Sequence, residues 1–160
     1  MTGDSGRTVK FAEDWVKKEP MSFSARQTLC RALVKSGDGE RAMAMVESMV
    51  EIEPLSDLPE YEKILIYALS KDHVQNPKMA LNLCKALPED AEMTRFKWIT
   101  KAVGYVSCNE LADGERCLAE ASKFSVQDIT SDPFQSDQPY FEFVRKAIRF
   151  AKAQRAKSPI

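Results

Sequence analysis

The sequence has few of the residues on which catalytic and metal sites depend. Its only histidine is His73, and its four cysteines show no CxxC spacing. A structural zinc site needs about four Cys, His or carboxylate ligands close together, and this pattern gives poor support for one. The phosphate-binding patterns GxxxxGK[ST] and GxGxxG are also absent. We therefore predict no enzymatic activity, no metal and no cofactor.

Long apolar runs are missing too. The opening residues, MTGDSGRTVKFAEDW, contain no apolar segment of the kind found in signal peptides. No stretch approaches the roughly 20 apolar residues that a membrane-spanning helix requires. Without an export signal, the cysteines are expected to be buried thiols rather than a disulfide framework. These absences predict a cytoplasmic protein.

The chain as a whole carries almost no net charge, but individual stretches carry charge of one sign. The formal net charge is -1, which gives no global basic field of the kind that attracts nucleic acid. However, six basic residues and no acidic one lie between Arg145 and Lys157, and the most acidic stretch runs from Glu47 to Glu62. Such runs are either solvated faces or oppositely charged docking surfaces.

The apolar residues recur at helical spacing nearly everywhere. In FSARQTLCRALVKSG, for example, Leu29, Leu33 and Val34 fall on one helix face. No segment alternates convincingly with period two, so no sheet is expected and the predicted fold class is all-α. Proline and turn residues divide the chain into an unpaired N-terminal helix at 8–20, helical hairpins at 22–54, 58–88 and 91–125, a loop at 126–139 and a basic helix at 140–157.

The tetrapeptide DGER occurs twice, at Asp38 and at Asp113. The residues around it also repeat, because Ala42 has counterparts at Ala80 and Cys117, 38 and then 37 residues later. Fixed periods of this size indicate stacked helical hairpins. We interpret DGER as the start of the second helix of a hairpin, where the aspartate caps the helix and the glycine makes the turn.

The unit at 23–54 resembles a tetratricopeptide repeat in seven positions: Leu29, Cys30, Leu33, Gly37, Ala42, Val46 and Pro54. The resemblance extends over roughly residues 8–125 and is weaker in the second and third units. It implies a right-handed superhelical solenoid of about three antiparallel hairpins, with an extra N-terminal helix and a C-terminal capping helix. It also implies a non-catalytic adaptor or assembly subunit that binds a peptide or helix of a partner protein in a concave groove. The inward positions carried over from the family are Gln27, Arg31, Val34, Lys35, Leu65, Leu69, Asp72, Ala102, Val106 and Asn109.

Two alternatives remain open. The N-terminal helix aligns with the second helix of a repeat whose first helix is missing, so Phe11 and Trp15 could form a self-association surface in a homo-oligomer. The C-terminal helix places Val144 and Ile148 on its capping face but leaves Phe143 and Phe150 outside it. Combined with its basic residues, that pattern is also typical of a helix that binds nucleic acid or an acidic membrane.

Overall fold

A computed structural model describes residues 3–124 and 138–157, with side chains from residue 6 onward. Within these ranges the chain is entirely α-helical, with no strand, which confirms the all-α prediction. Its helices are α1 (Gly3–Lys18), α2 (Phe23–Ser36), α3 (Gly39–Ile52), α4 (Leu58–Leu69), α5 (Pro77–Ala86), α6 (Arg95–Ser107), α7 (Leu111–Ala121) and α8 (Gln138–Lys157).

The two outermost helices begin earlier than predicted. Helix α1 begins at Gly3 rather than at residue 8, and α8 begins at Gln138 rather than at residue 140. The earlier start of α8 is compatible with Pro139, because a proline in the first turn of a helix sacrifices no intrahelical hydrogen bond. Of the predicted loop, residues 126–137 lie outside the described residues, and 138–139 belong to α8.

Polar side chains fix where several helices start. The side chains of Ser22, Asp38, Asn76 and Thr94 each accept a hydrogen bond from a backbone N–H in the first turn of α2, α3, α5 and α6. Such caps satisfy donors that have no partner within the helix. At the end of α2, Gly37 has φ +87°, a left-handed conformation that glycine adopts without a steric penalty.

The two DGER segments do not play the same part. Asp38 is the N-cap of α3 and accepts a hydrogen bond from Arg41 N at 3.1 Å, as predicted. Asp113 is not a cap, because α7 already begins at Leu111 and Asp113 lies in its first turn. Gly114 packs so closely on α6 that an added Cβ would lie 2.6 Å from Val106 Cγ2. The third-unit glycine therefore allows two helices to approach, and the prediction that it forms a turn was wrong.

The helices pack in a regular order. Helix α1 packs on α2; α2 and α3, α4 and α5, and α6 and α7 pack as consecutive pairs. In addition, α4 contacts both helices of the pair before it, and so do α6 and α8. Two apolar clusters result, one among α1, α2 and α3 and one among α4 to α8, and Ile66 of α4 belongs to the first of them.

Small side chains allow the close contacts between neighbouring pairs. A Cβ on Gly104 of α6 would collide with Cys84 Sγ of α5 and would lie 2.8 Å from Ile64 Cγ2 of α4. Cys30, Cys84 and Cys117 are buried free thiols and Cys108 is half-buried, so the prediction of buried cysteines is confirmed for the first three.

Candidate interaction surfaces

The centre of the predicted groove contains a buried ion pair. Arg31 on α2 is only 6% exposed, and its Nε donates to Glu62 Oε1 on α4 at 3.1 Å. Glu62 is fully buried, and the same oxygen accepts a hydrogen bond from Gln27 Nε2 at 3.0 Å. The structure thus places Gln27 and Arg31 in an internal network, whereas the family resemblance had implied that both line a groove open to a partner peptide.

Aromatic rings surround this ion pair. The guanidinium of Arg31 lies 4.2 Å from the centre of the Phe96 ring of α6, a cation–π contact. Tyr140 at the start of α8 is also buried, and burial together with nearby Glu62 raises the pKa of its hydroxyl, although the charge of Arg31 opposes this shift. The space around Arg31 among α2, α4 and α6 is therefore filled by the chain's own side chains.

Most of the other predicted groove residues also have structural roles. Val34, Leu65 and Ala102 are buried core residues. Asp72 accepts hydrogen bonds from the backbone of Glu40 and Val74, and thereby ties the α4–α5 connection to α3.

The last groove positions lie near the ends of their helices. Val106 is half-buried and lies against Gly114 of α7, and Asn109 has φ 62° in the turn after α6. Lys35 is exposed and Leu69 is half-buried. Partial desolvation of the ammonium group by its neighbours and the charge of Arg31 lower the pKa of Lys35.

A second charged cluster was not predicted from the sequence. Lys101 of α6 is fully buried, and its Nζ donates to Leu87 O at 2.5 Å and to Glu89 Oε1 at 3.3 Å. Glu89 in turn accepts two hydrogen bonds from Arg116 of α7, and these hold the pKa of its carboxyl below the usual range. The sequence does contain a sign of both buried charges. Lys101 lies at helical spacing from the apolar residues Trp98 and Tyr105, and Glu62 lies at the same spacing from Leu65 and Leu69.

The buried thiols are not activated as nucleophiles. Burial raises the pKa of Cys84 and of Cys117 to about 12, and it raises the pKa of Cys30 as well. Since the thiolate is the reactive form, these side chains act as small apolar residues. His73 is exposed, and across residues 3–124 and 138–157 no group of three or more His, Cys, Asp or Glu side chains could hold a metal ion.

The two outermost helices carry exposed aromatic side chains. In α1, Phe11 is 51% exposed and its ring centre lies 6.3 Å from that of the half-buried Trp15. In α8, Val144 and Ile148 are buried against the preceding helices, whereas Phe150 is 67% exposed. The predicted capping face of α8 therefore packs as expected, and Phe143 and Phe150 lie outside it.

A pocket of about 280 Å³ opens between the α3–α4 and α5–α6 connections. Its apolar lining consists of Leu55, Tyr61, Pro88 and Met93, and its polar lining consists of Ser56, Asp57, Asp90, Glu92 and Lys97. Lys97 Nζ lies 2.7 Å from Asp57 Oδ2, so the charge of this lysine is already neutralised. Burial and the nearby carboxylates of Asp57 and Asp90 raise the pKa of Tyr61 to about 12, which is consistent with a negative pocket.

No protein-family model, no curated protein and no solved structure matches this chain. None of the helices in the described ranges is both long enough and apolar enough to cross a membrane.

Proposed function

We propose that this chain is a non-catalytic protein-interaction module, an adaptor or assembly subunit built as a superhelical stack of helical hairpins similar to tetratricopeptide repeats. The packing order is the observation that carries this proposal. Helices α4, α6 and α8 each contact both helices of the pair before them. Hairpins that stack in this way bury a continuous core and present an extended surface to partners.

The partner site that we infer lies at one edge of the predicted groove rather than at its centre. The centre is occupied by Arg31, Glu62 and Phe96. The C-terminal ends of α2 and α4 lie side by side, because Lys71 N donates to Gly37 O at 3.2 Å. Lys35, Leu69 and Lys71 there combine exposed cations with a half-buried leucine. Such a surface suits a short partner segment that carries a carboxylate beside an apolar side chain.

Photo-crosslinking in cells tests this site. A photo-reactive amino acid in place of Lys35 is expected to capture a partner protein as a discrete band that mass spectrometry identifies. The matched control replaces Lys85, an exposed lysine in the last turn of α5, whereas Lys71 lies in the connection that precedes α5. Identical bands at the two positions, or none at position 35, would argue against a partner at this edge.

Self-association through the N-terminal end is a second candidate, favoured by the exposure of Phe11 beside Trp15. An aromatic pair at the open end of a helical stack is a suitable anchor for a second subunit. A Phe11→Glu variant is expected to lose such an assembly, and it is included in the experiment below.

A further inference from the structure

The outer side of α8 combines apolar and basic side chains. Phe143 is 41% exposed and Phe150 is 67% exposed, and they are seven residues apart, which puts them on the same side of the helix. Arg145 and Lys152 already have carboxylate partners in Glu142 and Glu115. No carboxylate in the described residues pairs with Lys146 or Arg149, which are exposed beside Phe150. Below, this outer side (Phe143, Lys146, Arg149 and Phe150) is called the α8 basic face.

The pocket beside Leu55 has the opposite character. Leu55 is fully exposed at its rim, and Asp90 and Glu92 contribute negative charge that Lys97 does not neutralise, since its ammonium pairs with Asp57. A cavity of about 150 Å³ already accepts a benzene molecule, so a pocket of about 280 Å³ has room for a phenylalanine ring. It therefore suits an aromatic side chain flanked by cations.

Phe150 of the basic face and the pocket lie towards opposite ends of α6 within one molecule. The pocket is at the start of α6, where Lys97 lines it. Phe150 lies towards the other end, because Arg95 at the start of α6 lies over the Phe141 ring of α8, Phe150 follows Phe141 by nine residues or about 14 Å of helix, and Lys152 pairs with Glu115 of α7. The 13 residues of α6 span about 20 Å. The Phe150 ring is therefore too far along α8 to enter the pocket of its own molecule, and such a contact forms between molecules.

We propose that the chain self-associates by inserting Phe150 of one copy into the Leu55 pocket of a second copy, with Lys146 and Arg149 against Asp90 and Glu92. This contact goes beyond the partner site proposed above and uses a different surface. Opposite charges and a fitting apolar side chain on two described surfaces of the same chain favour a second copy over an unrelated partner. Because the two surfaces differ, the contact is heterologous, and it forms either a closed ring or a chain of subunits.

Analytical ultracentrifugation of the purified full chain tests the proposal. The wild type is expected to form assemblies that weaken when the salt concentration is raised to about 1 M, where the Debye length falls to about 3 Å. Phe150→Glu, Arg149→Glu and Glu92→Lys are each expected to raise the dissociation constant by about tenfold or more, equivalent to about 1.4 kcal/mol. Lys78→Glu on α5 is the matched control and should associate like the wild type.

A charge exchange makes the test specific for this pairing. The double variant Arg149→Glu with Glu92→Lys restores an opposite-charge contact between copies, so it is expected to regain most of the association that each single variant loses. Circular dichroism of every variant distinguishes lost contact from lost folding. Double-variant association no stronger than that of the single variants would overturn the assignment of these two surfaces to one contact.

Three other outcomes would also overturn the proposal. One is a wild type that stays monomeric up to about 1 mM, the range of the weakest specific contacts. Another is association that Phe11→Glu abolishes and Phe150→Glu leaves intact, which would place the interface at α1. The third is a monomer whose Phe150 is needed for binding to phosphatidylserine vesicles, which would make the α8 basic face a membrane contact. The crosslinking experiment at Lys35 is independent of all three.

Discussion

Identical residue types behave differently in the interior of this helical protein and on its surface. Glu62 of α4 is fully buried with Arg31 of α2, whereas Glu47 on α3 faces solvent. Gly104 is enclosed by α4 and α5, whereas a Cβ on Gly6 of α1 would meet nothing within 4 Å. Whether a charged side chain forms an internal ion pair or stays accessible to a partner is therefore decided by its surroundings in the fold, and not by its residue type. Matched pairs of substitutions measure that difference directly.

The largest loss of stability is expected from substitution of Glu62. Glu62→Ala leaves the buried Arg31 without this carboxylate, and breaking a buried pair in this way costs about 3–5 kcal/mol of unfolding free energy. Glu47→Ala removes a carboxylate from solvent and should change stability by no more than about 0.5 kcal/mol. Urea denaturation of both variants measures the difference.

A double substitution separates charge from packing at the same site. Replacing both Arg31 and Glu62 by methionine removes the two charges together, so it is expected to cost far less than Glu62→Ala, because apolar substitutes for a buried pair are often neutral or stabilising. If Glu62→Ala cost as little as Glu47→Ala, the ion pair would not be structural, and its place in the interior would have to be reconsidered.

The next largest difference is expected between two glycines. Gly104→Ala forces a methyl group against Cys84 and Ile64, and overpacking of this kind costs about 1–3 kcal/mol. Gly6→Ala places the same methyl group in open space on a helix, where alanine is favoured over glycine by up to about 1 kcal/mol. Thermal denaturation should therefore show opposite shifts in Tm. If both variants shifted Tm in the same direction, α4, α5 and α6 would be able to move apart without loss of stability.

The sequence predicted the helices better than it predicted which side chains are accessible. Helical periodicity and turn residues were enough to locate the helices of residues 3–124 and 138–157 to within a few residues, because both signals are local. Whether Arg31 faces a partner or another helix depends on a residue 31 positions away, Glu62, and local spacing carries no such information. The same holds for Lys101 and Glu89. Both pairs had a visible sign, a charged residue at the spacing of an apolar stripe, and that sign indicates a paired interior charge.

A third difference in unfolding free energy is expected at Glu89, and it depends on pH. Hydrogen bonds from Arg116 and the charge of Lys101 lower the pKa of Glu89 in the folded state. The carboxylate therefore stabilises the fold fully above its unfolded pKa of about 4.3, and this stabilisation is lost as pH falls through the folded pKa. Glu89→Gln is expected to cost about 1.5 kcal/mol at pH 7, a value typical of hydrogen bonds to charged groups. The difference from the wild type should shrink as pH falls below about 4.

Urea denaturation at pH 7 and pH 3 measures this dependence, with Glu51→Gln at an exposed position of α3 as the control. The control variant should be about as stable as the wild type at both pH values. A cost for Glu89→Gln that is the same at pH 3 as at pH 7 would show that the carboxylate charge is not what Lys101 and Arg116 recognise.

The smallest difference is expected between the two DGER segments, and it tests a distinction that the sequence conceals. Asp38→Ala removes the side chain that caps α3 and should cost about 1 kcal/mol. Asp113→Ala removes only a 3.6 Å ion pair with Arg116 on the helix surface and should cost no more than about 0.5 kcal/mol. Asp38→Asn keeps a capping oxygen and is expected to retain most of the stability, so it separates capping from charge. Equal costs for the two alanine variants would mean that Asp113 also supports the start of its helix, although α7 begins two residues before it.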